Sequence, residues 1–422
     1  MFKNKRLLRN ASLDIIGEGI WGLQAGMVPP ITVFTILLNH YKAGKIIIGM
    51  ISAIQGGLWF LPQLLGLFLF TSLKKRRRQL VLWHVIMVVP FQLLCGFLVF
   101  MDKILDPFWL RWGLTFLLAM FYFSMGIIVG VWCEWLAHLF DRNVRATIMG
   151  LAFSIGSLLS AAGGIISGIC VEHYKGTEIY GWLLVAGSII AWISMLVFWF
   201  IDDPAEHQTD VIDKPKIKNI LAKFKESLNN WNFRSFLIGR VLVSVGLCIS
   251  PFLAIYYQSE KGGLIPESFI VKSGAAMTIG TAITTVLIGI WGDKKGHRHP
   301  VITGGIIQVL TFLVILLGTG KESCLIAYFG IGACTAFSFI THTNMLYETC
   351  PHEDRLAHIT VGNIVMTPPT LIAPLIAGML ASKYGLNLLF FLSLIISIIG
   401  AIWFILFVHE PRKLSSNFPS PK

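Results

Sequence analysis

Among the ionisable side chains inside long apolar runs, six stand out: Asp14 and Glu18, Glu134 and His138, Arg240, and His342. These are the types that exchange protons or form switchable ion pairs. Asp14 and Glu18 are four positions apart, as are Glu134 and His138, so on a helix each pair shares one face. An ionised side chain at mid-membrane depth costs about 2.5–3.5 kcal/mol, and four of them would cost on the order of 10 kcal/mol unless paired or wet. A hydrated cavity relieves that cost. The residue types therefore predict that Asp14, Glu18 or Glu134 carries a coupling proton. They also predict that Arg240 pairs with Glu18 or Glu134 across such a cavity when one end shuts. Burial favours a neutral carboxyl and a nearby guanidinium an ionised one, so opening and closing would switch the proton on and off. Snorkelling of Asp14 and Arg240 to the interface as anchors is the plainer alternative.

Gln24, near the middle of the first run, is the first candidate for a solute contact, with Asn344 on a later run and Gln55 and Gln63 on the second. Trp21, Trp132, Trp135 and Tyr256 could stack on a sugar ring or an organic cation, although aromatics in membrane helices more often pack or mark the interface. His84, His138 and His342 lie on separate runs with no nucleophile beside them, which leaves an enzymatic reading without a catalytic pair.

The elements that must position these residues are membrane helices. The chain is 55% hydrophobic and 13% charged, with a mean hydropathy of +0.72, whereas a soluble domain carries about a quarter of its residues charged. Stretches long enough to span fall at roughly 12–38, 47–72, 80–101, 108–138, 146–170, 179–201, 235–257, 269–291, 300–319, 323–347, 359–382 and 386–408. The fold class is thus all-α, with twelve transmembrane helices. Alternate assignment of loops places about 24 Lys and Arg on the side holding both termini and about 7 opposite, which predicts cytoplasmic termini. The run Lys74, Lys75, Arg76, Arg77, Arg78 contributes most. The net charge of +12 is then topogenic and lipid-facing, not nucleic-acid-binding.

The basic-then-apolar N-terminus is too long for a signal peptide and lacks a small-residue cleavage site, so it is expected to remain as the first helix. Seven scattered cysteines show no metal-ligand spacing, and Gly320 and Lys321 are followed by Glu322, not by a phosphate-binding hydroxyl. No cofactor, metal or ATP engine is expected. Nothing requires more than a monomer, and a prokaryotic source would place it in the inner membrane.

Residues 202–234 are the one long polar interruption and divide the chain into 1–201, a linker at 202–234, 235–410 and a disordered tail at 411–422. Within the linker Ile217, Ile220, Leu221, Phe224 and Leu228 recur at helical spacing with lysines on other faces, as in a helix lying on an anionic membrane. Pro30 and Pro251, Lys74–Lys75 and Lys294–Lys295, Arg145 and Arg355, and Gly168 and Gly378 stand at similar offsets, which suggests a duplicated half. Pro29, Pro30, Pro251, Pro368, Pro369 and Pro374 are expected to interrupt helices 1, 7 and 11. Gly156, Gly163, Gly164 and Gly168 give helix 5 a close-packing face.

The loop after the eighth run reads Gly289, Ile290, Trp291, Gly292, Asp293, Lys294, Lys295, Gly296, His297, Arg298. Gly289 and Gly292 would let helices approach closely, Asp293 would accept from a helix N-terminus and the basic residues would hold the turn in the cytoplasm. This loop resembles the signature loop of the major facilitator superfamily (MFS). The first-half loop departs from that pattern, with Leu73 where Asp is expected, and Ser160–Ala161 replaces the Gly-Pro of many drug/proton antiporters. The resemblance implies two pseudo-symmetric six-helix bundles, with helices 1, 4, 7 and 10 around a central cavity. It places Gln24, Trp21, Glu134, Trp135, Arg240, Tyr256, His342 and Asn344 there, and makes Gly289, Gly292, Asp293, Lys294, Gly296, Arg298, Arg145 and Arg355 the gating set. The expected function is secondary active transport of a small solute by alternating access, coupled to protons. An uncoupled facilitator and a non-transporting receptor or intramembrane enzyme are the alternatives.

Overall fold

Backbone polar groups find no partner in hydrocarbon, so a chain this apolar satisfies them within helices. The structure, a computed structural model, describes residues 5–70, 72, 75–140, 142–203, 228–349 and 355–411. Among these, the first half holds α1 (Lys5–His40), α2 (Lys45–Phe60, continued by Gln63–Leu69), α3 (Arg76–Phe100), α4 (Pro107–Leu139), α5 (Arg142–His173) and α6 (Glu178–Trp199). The second half holds α7 (Trp231–Gln258), α8 (Glu267–Lys295), α9 (Arg298–Leu317), α10 (Gly320–Leu346), α11 (Arg355–Tyr384) and α12 (Leu386–Phe407). The second half begins at Trp231, ahead of the expected boundary, because the Asn230 side chain caps α7 by accepting from the Phe233 N–H at 3.1 Å. The expected amphipathic linker helix, save Leu228, and the tail beyond Pro411 lie outside the described residues.

Two of the three expected proline breaks are present. In α1 the α-helix stops at Met27, Pro29 is extended and a π-helical turn runs Pro30–Phe34. In α7 the first segment ends at Leu247 and Phe252–Gln258 resumes after Pro251. The third expectation is corrected: α11 runs unbroken through Pro368, Pro369 and Pro374. Each proline removes a single ladder bond, and lengthwise packing against α2 holds the helix together. A further break, which hydropathy alone does not announce, falls at Pro62 in α2.

Within the first half α1 lies backbone-to-backbone on α5, because a Cβ on Gly22 or Gly26 would collide with the carbonyls of Gly156 or Ser160. The adjoining face of α5 meets the second half. There Gly164 and Gly168 receive α8, a Cβ on Gly168 standing only 2.9 Å from the Ser268 carbonyl. The other crossing between halves repeats the arrangement: Gly378 of α11 seats α2, with the Lys45 carbonyl 2.7 Å from an added Cβ. The duplication read from Gly168 and Gly378 is thus a duplicated contact.

The buried apolar residues are distributed unequally between the two ends of the molecule. Away from the termini one cluster runs through both halves, from Phe34, Ile36 and Ile51 to Phe252, Tyr257, Tyr328 and Phe390. At the end bearing the termini each half has its own cluster, around Trp135 and Phe198 in the first and Phe236 and Phe404 in the second. Gly26→Leu should wedge α1 off α5 and destabilise the fold by about 1–3 kcal/mol, visible as a lower unfolding midpoint of the detergent-purified protein.

Candidate functional site

At the closed end the polar links between halves converge on Glu267 at the start of α8. Its carboxylate lies 2.9 Å from His40 Nε2 and accepts from the Tyr180 hydroxyl at 3.0 Å, both from the first half. Asn39 donates to Gln258 at 3.3 Å, Lys45 to the Ala381 carbonyl at 2.9 Å, and Lys272 pairs with Glu172. All of these cross between halves at the end away from the termini.

At the open end Glu134 of α4 is the central acid. Its partner is Arg76, whose Nη1 donates at 2.5 Å while Nη2 reaches the Phe70 carbonyl at 3.2 Å. Arg76 is 1% exposed and Glu134 38%, so a buried cation holds a carboxylate whose outer edge is accessible. In the sequence Arg76 is one of five consecutive loop charges. Nothing there selects it from its two arginine neighbours, since only the turn at Phe70 aims it inward.

Beside Glu134 stands an aromatic wall. His84 of α3 is flanked by Trp21 and Trp132 with ring centres 5.5 and 5.3 Å away, and Trp132 meets Phe198 at 4.7 Å. His84 Nδ1 lies 2.8 Å from the Leu80 carbonyl, which fixes its hydrogen there. The indole N–H of Trp132 faces the Glu18 carboxylate. Asp14, one turn earlier, is 1% exposed, and its Oδ1 has no hydrogen-bond partner.

Several expected cavity residues lie elsewhere. Trp135 is buried inside the first half and donates to Asp203 at 2.7 Å. Tyr256 sits beyond the α7 break, packed on Tyr257 and Phe390 within the closed end. Gln24 is 2% exposed with an unpaired Oε1. Asn344 is half-buried on α10, whereas the side chain of His342 lies outside the described residues. Arg240 turns into its own half: Nη1 donates to Ser338 Oγ at 2.8 Å and Nη2 to the Ser338 carbonyl. In this conformation it meets neither Glu18 nor Glu134.

The signature loop works chiefly as a clasp within the second half. Gly296 has φ +83°, and an added Cβ would strike the Glu410 carboxylate, which accepts from the Arg298 N–H at 3.0 Å. Arg298 Nε donates to the Val408 carbonyl at 2.6 Å and Nη2 to the Ile405 carbonyl at 2.9 Å, tying α9 to the end of α12. Gly292 receives the ring of His297 from its own loop, not a neighbouring helix, and Gly289 faces open space. Lys294 is exposed, and Arg145 donates within its half to the Phe140 carbonyl at 3.0 Å. The side chains of Asp293 and Arg355 are outside the described residues.

The first half has the same clasp. Arg77 donates to the Ile201 carbonyl, and Asn10 exchanges two bonds with Asp202 as Asn232 does with His409. Asn10 and Asn232 are 222 positions apart and Arg77 and Arg298 are 221 apart, a repeat denser than the matched prolines, lysines and glycines alone reveal. Among the described residues no group of three His, Cys, Asp or Glu is placed to hold a metal ion.

A sequence model of the Major Facilitator Superfamily matches residues 16–273 and 263–422. Multidrug resistance protein MdtG of Proteus mirabilis (strain HI4320) is 26% identical over 200 residues, which is 45% of this chain and about half (47%) of that protein. Among solved structures, a POT family transporter in complex with 5-aminolevulinic acid superposes with a TM-score of 0.70 at 13% identity, covering 98% of this chain and 97% of that one. The nucleoside transporter NupG gives 0.64 at 14% identity over 95% and 98%. The xylose transporter XylE from E. coli, in a partially occluded inward open conformation, gives 0.66 at 11% over 97% and 99%. These three likenesses establish the fold alone. Arg76→Met should leave Glu134 without its cation and destabilise the first half by on the order of 2 kcal/mol, reduced from the fully buried case by the partial exposure of Glu134. A Glu134→Met second change should recover most of that loss in a double-mutant cycle of unfolding free energies.

Proposed function

Because the chain belongs to the Major Facilitator Superfamily, and is therefore a multi-pass membrane transporter, we propose that it carries a small solute by alternating access, powered by a proton gradient, with both termini cytoplasmic. The observation that carries this reading is the unequal joining of the halves. One apolar cluster and the cross-half polar links close one end, while each half packs separately at the other. In the proposed orientation this is an inward-open state, and the solute enters or leaves between α1, α4, α7 and α10.

The proton is assigned to the first half. Asp14, Glu18 and Glu134 line one region of α1 and α4, and among the described residues only Glu134 of the three has a cationic partner, Arg76. Asp14 and Glu18 lie a turn apart in apolar surroundings, where two ionised carboxylates would repel each other and forgo hydration. A proton on one of them removes the repulsion and that group's share of the lost hydration, and exposure to the opposite bulk phase on closure would release it. The adjoining Trp21 and Trp132 favour a solute with an aromatic or cationic face, since an indole face and a nearby carboxylate both attract organic cations.

Uptake and efflux of labelled solutes in proteoliposomes under an imposed pH gradient tests the reading. Accumulation should collapse with a protonophore. Asp14→Asn and Glu18→Gln should abolish pH-driven accumulation, a loss of tenfold or more, while sparing solute exchange at equal pH on both sides. Accumulation indifferent to the protonophore would instead identify an uncoupled facilitator. A tag at either terminus should be digestible only from the cytoplasmic face.

A further inference from the structure

Near the closed end α5 and α8 cross antiparallel between the halves. A Cβ on Gly164 would stand 3.2 Å from the Ala275 N, and one on Gly168 would stand 2.9 Å from the Ser268 carbonyl and 3.0 Å from the Lys272 N. From Gly164 and Ala275 toward the end bearing the termini, both helices carry short side chains at the same alternation of three and four positions. On α5 they are Gly164, Ala161, Ser157, Ser154 and Gly150, and on α8 they are Ala275, Thr278, Ala282, Thr285 and Gly289. That alternation holds a stripe on the face a helix turns to a partner crossing it at a shallow angle. With the register set by Gly164 against Ala275, the two stripes correspond residue by residue. They end with Gly150 opposite Gly289, each 14 residues, or about 21 Å, from the observed contact.

Only the outer part of this seam is shut. Ala161, Gly164 and Ala275 are buried, Ser157, Thr278, Ala282, Thr285 and Gly289 are half-buried, and Ser154 and Gly150 are exposed. A Cβ on Gly150 or Gly289 would meet nothing within 4 Å, whereas every other glycine on α5 and α8 has a neighbour inside that distance. Glycine within a helix costs about 0.5–1 kcal/mol relative to alanine. At these two positions no contact in the present state recovers that cost.

We propose that the two stripes are one continuous helix–helix seam, and that closing the end bearing the termini completes it in the register already set at the other end. Gly150 and Gly289 then meet backbone to backbone, as Gly22 and Gly26 of α1 meet α5 within the first half. The contact between the halves thus travels along the seam by rocking, with no slip of one helix past the other. The proposal rests on the alternating-access reading and adds which surfaces meet in the opposite state, and in what register.

The test uses the full chain purified in detergent, where reagents reach both ends, and reads modified peptides by mass spectrometry. In Gly150→Cys/Gly289→Cys both cysteines fit the open space without collision, and a short bifunctional thiol reagent should join α5 to α8 as the seam closes. The off-register pair Gly150→Cys/Ala282→Cys is displaced by about 10 Å along α8 and should link about tenfold less, because effective concentration falls with distance. Ile36→Cys reports the other end: Ile36 is 0% exposed within the shared apolar cluster, so a maleimide reaches a cysteine there only when that end opens. Adding Gly150→Leu, a wedge in the seam that also fits the open state, should slow labelling of Ile36→Cys roughly fivefold by disfavouring the closed seam. Labelling of Ile36→Cys with no link from 150 to 289, equal linking of the off-register pair, or labelling indifferent to Gly150→Leu would overturn the seam and leave alternating access standing. Neither labelling nor linking would overturn both.

Discussion

Hydrocarbon offers no partner to a polar group, and this constraint governs the architecture. Each charge drawn into the bundle must face protein or water. Arg76 meets it with Glu134 and a backbone carbonyl. Arg240 meets it only partly, through one serine. At the helix ends the same constraint produces the clasps, in which Asn10 and Asn232 take up backbone groups that the ends of the last helix in each half would otherwise leave unpaired. Arginines at the starts of α3 and α9 complete them, bringing a cation to carbonyls at a helix C-terminus, where the backbone dipole favours it.

Duplication explains why these devices occur twice, and the differences between copies show where the halves have specialised. A glycine seating a phenylalanine ring, Gly17 on Phe198 and Gly239 on Phe404, and the two clasps are retained in both. What differs is the residue after the seat, Glu18 in one half and Arg240 in the other, together with the size of the side chain facing it. Bulky aromatics pack densely beside Glu18, whereas the smaller Ser338 leaves a little space near Arg240. The common scaffold therefore fixes where a charge stands, and the local volume fixes what packs beside it.

Much of the fold was legible in the sequence because helix length and hydropathy are properties of runs, not of single residues. The twelve spans and the division into halves follow from such runs. Single-residue readings fared according to how local their cause was. Pro29–Pro30 and Pro251 broke their helices, whereas three prolines in α11 did not, because packing against α2 supplied what the ladder lost. Gly168 and Gly378 were legible since a missing side chain has one principal use inside a membrane. Arg76 was not, because its partner lies 58 positions away and its rank within an arginine run carries no signal. Trp135 and Tyr256 were misplaced for a related reason: periodicity assigns a residue to a helix face but not to a depth, and both belong to packed ends.

Glycine-seated backbone contacts occur both within the first half and between halves, whereas the polar links between halves are exposed, and this bears on how such a molecule can change shape. Inside the first half α1 and α5 touch backbone to backbone, so neither can slide without collision. The polar links between halves are half-exposed: His40 and Glu267 are each 34% accessible, and Lys272 and Glu172 are 32% and 53%. Exposed pairs of this sort contribute about 0–1 kcal/mol each, so the shared apolar cluster carries most of the closure. A second closure at the opposite end needs only to bury comparable apolar surface to balance it. The seam that the proposed alternating access must open therefore joins the halves through that shared cluster, while α1 and α5, which hold Asp14 and Glu18, move as a unit.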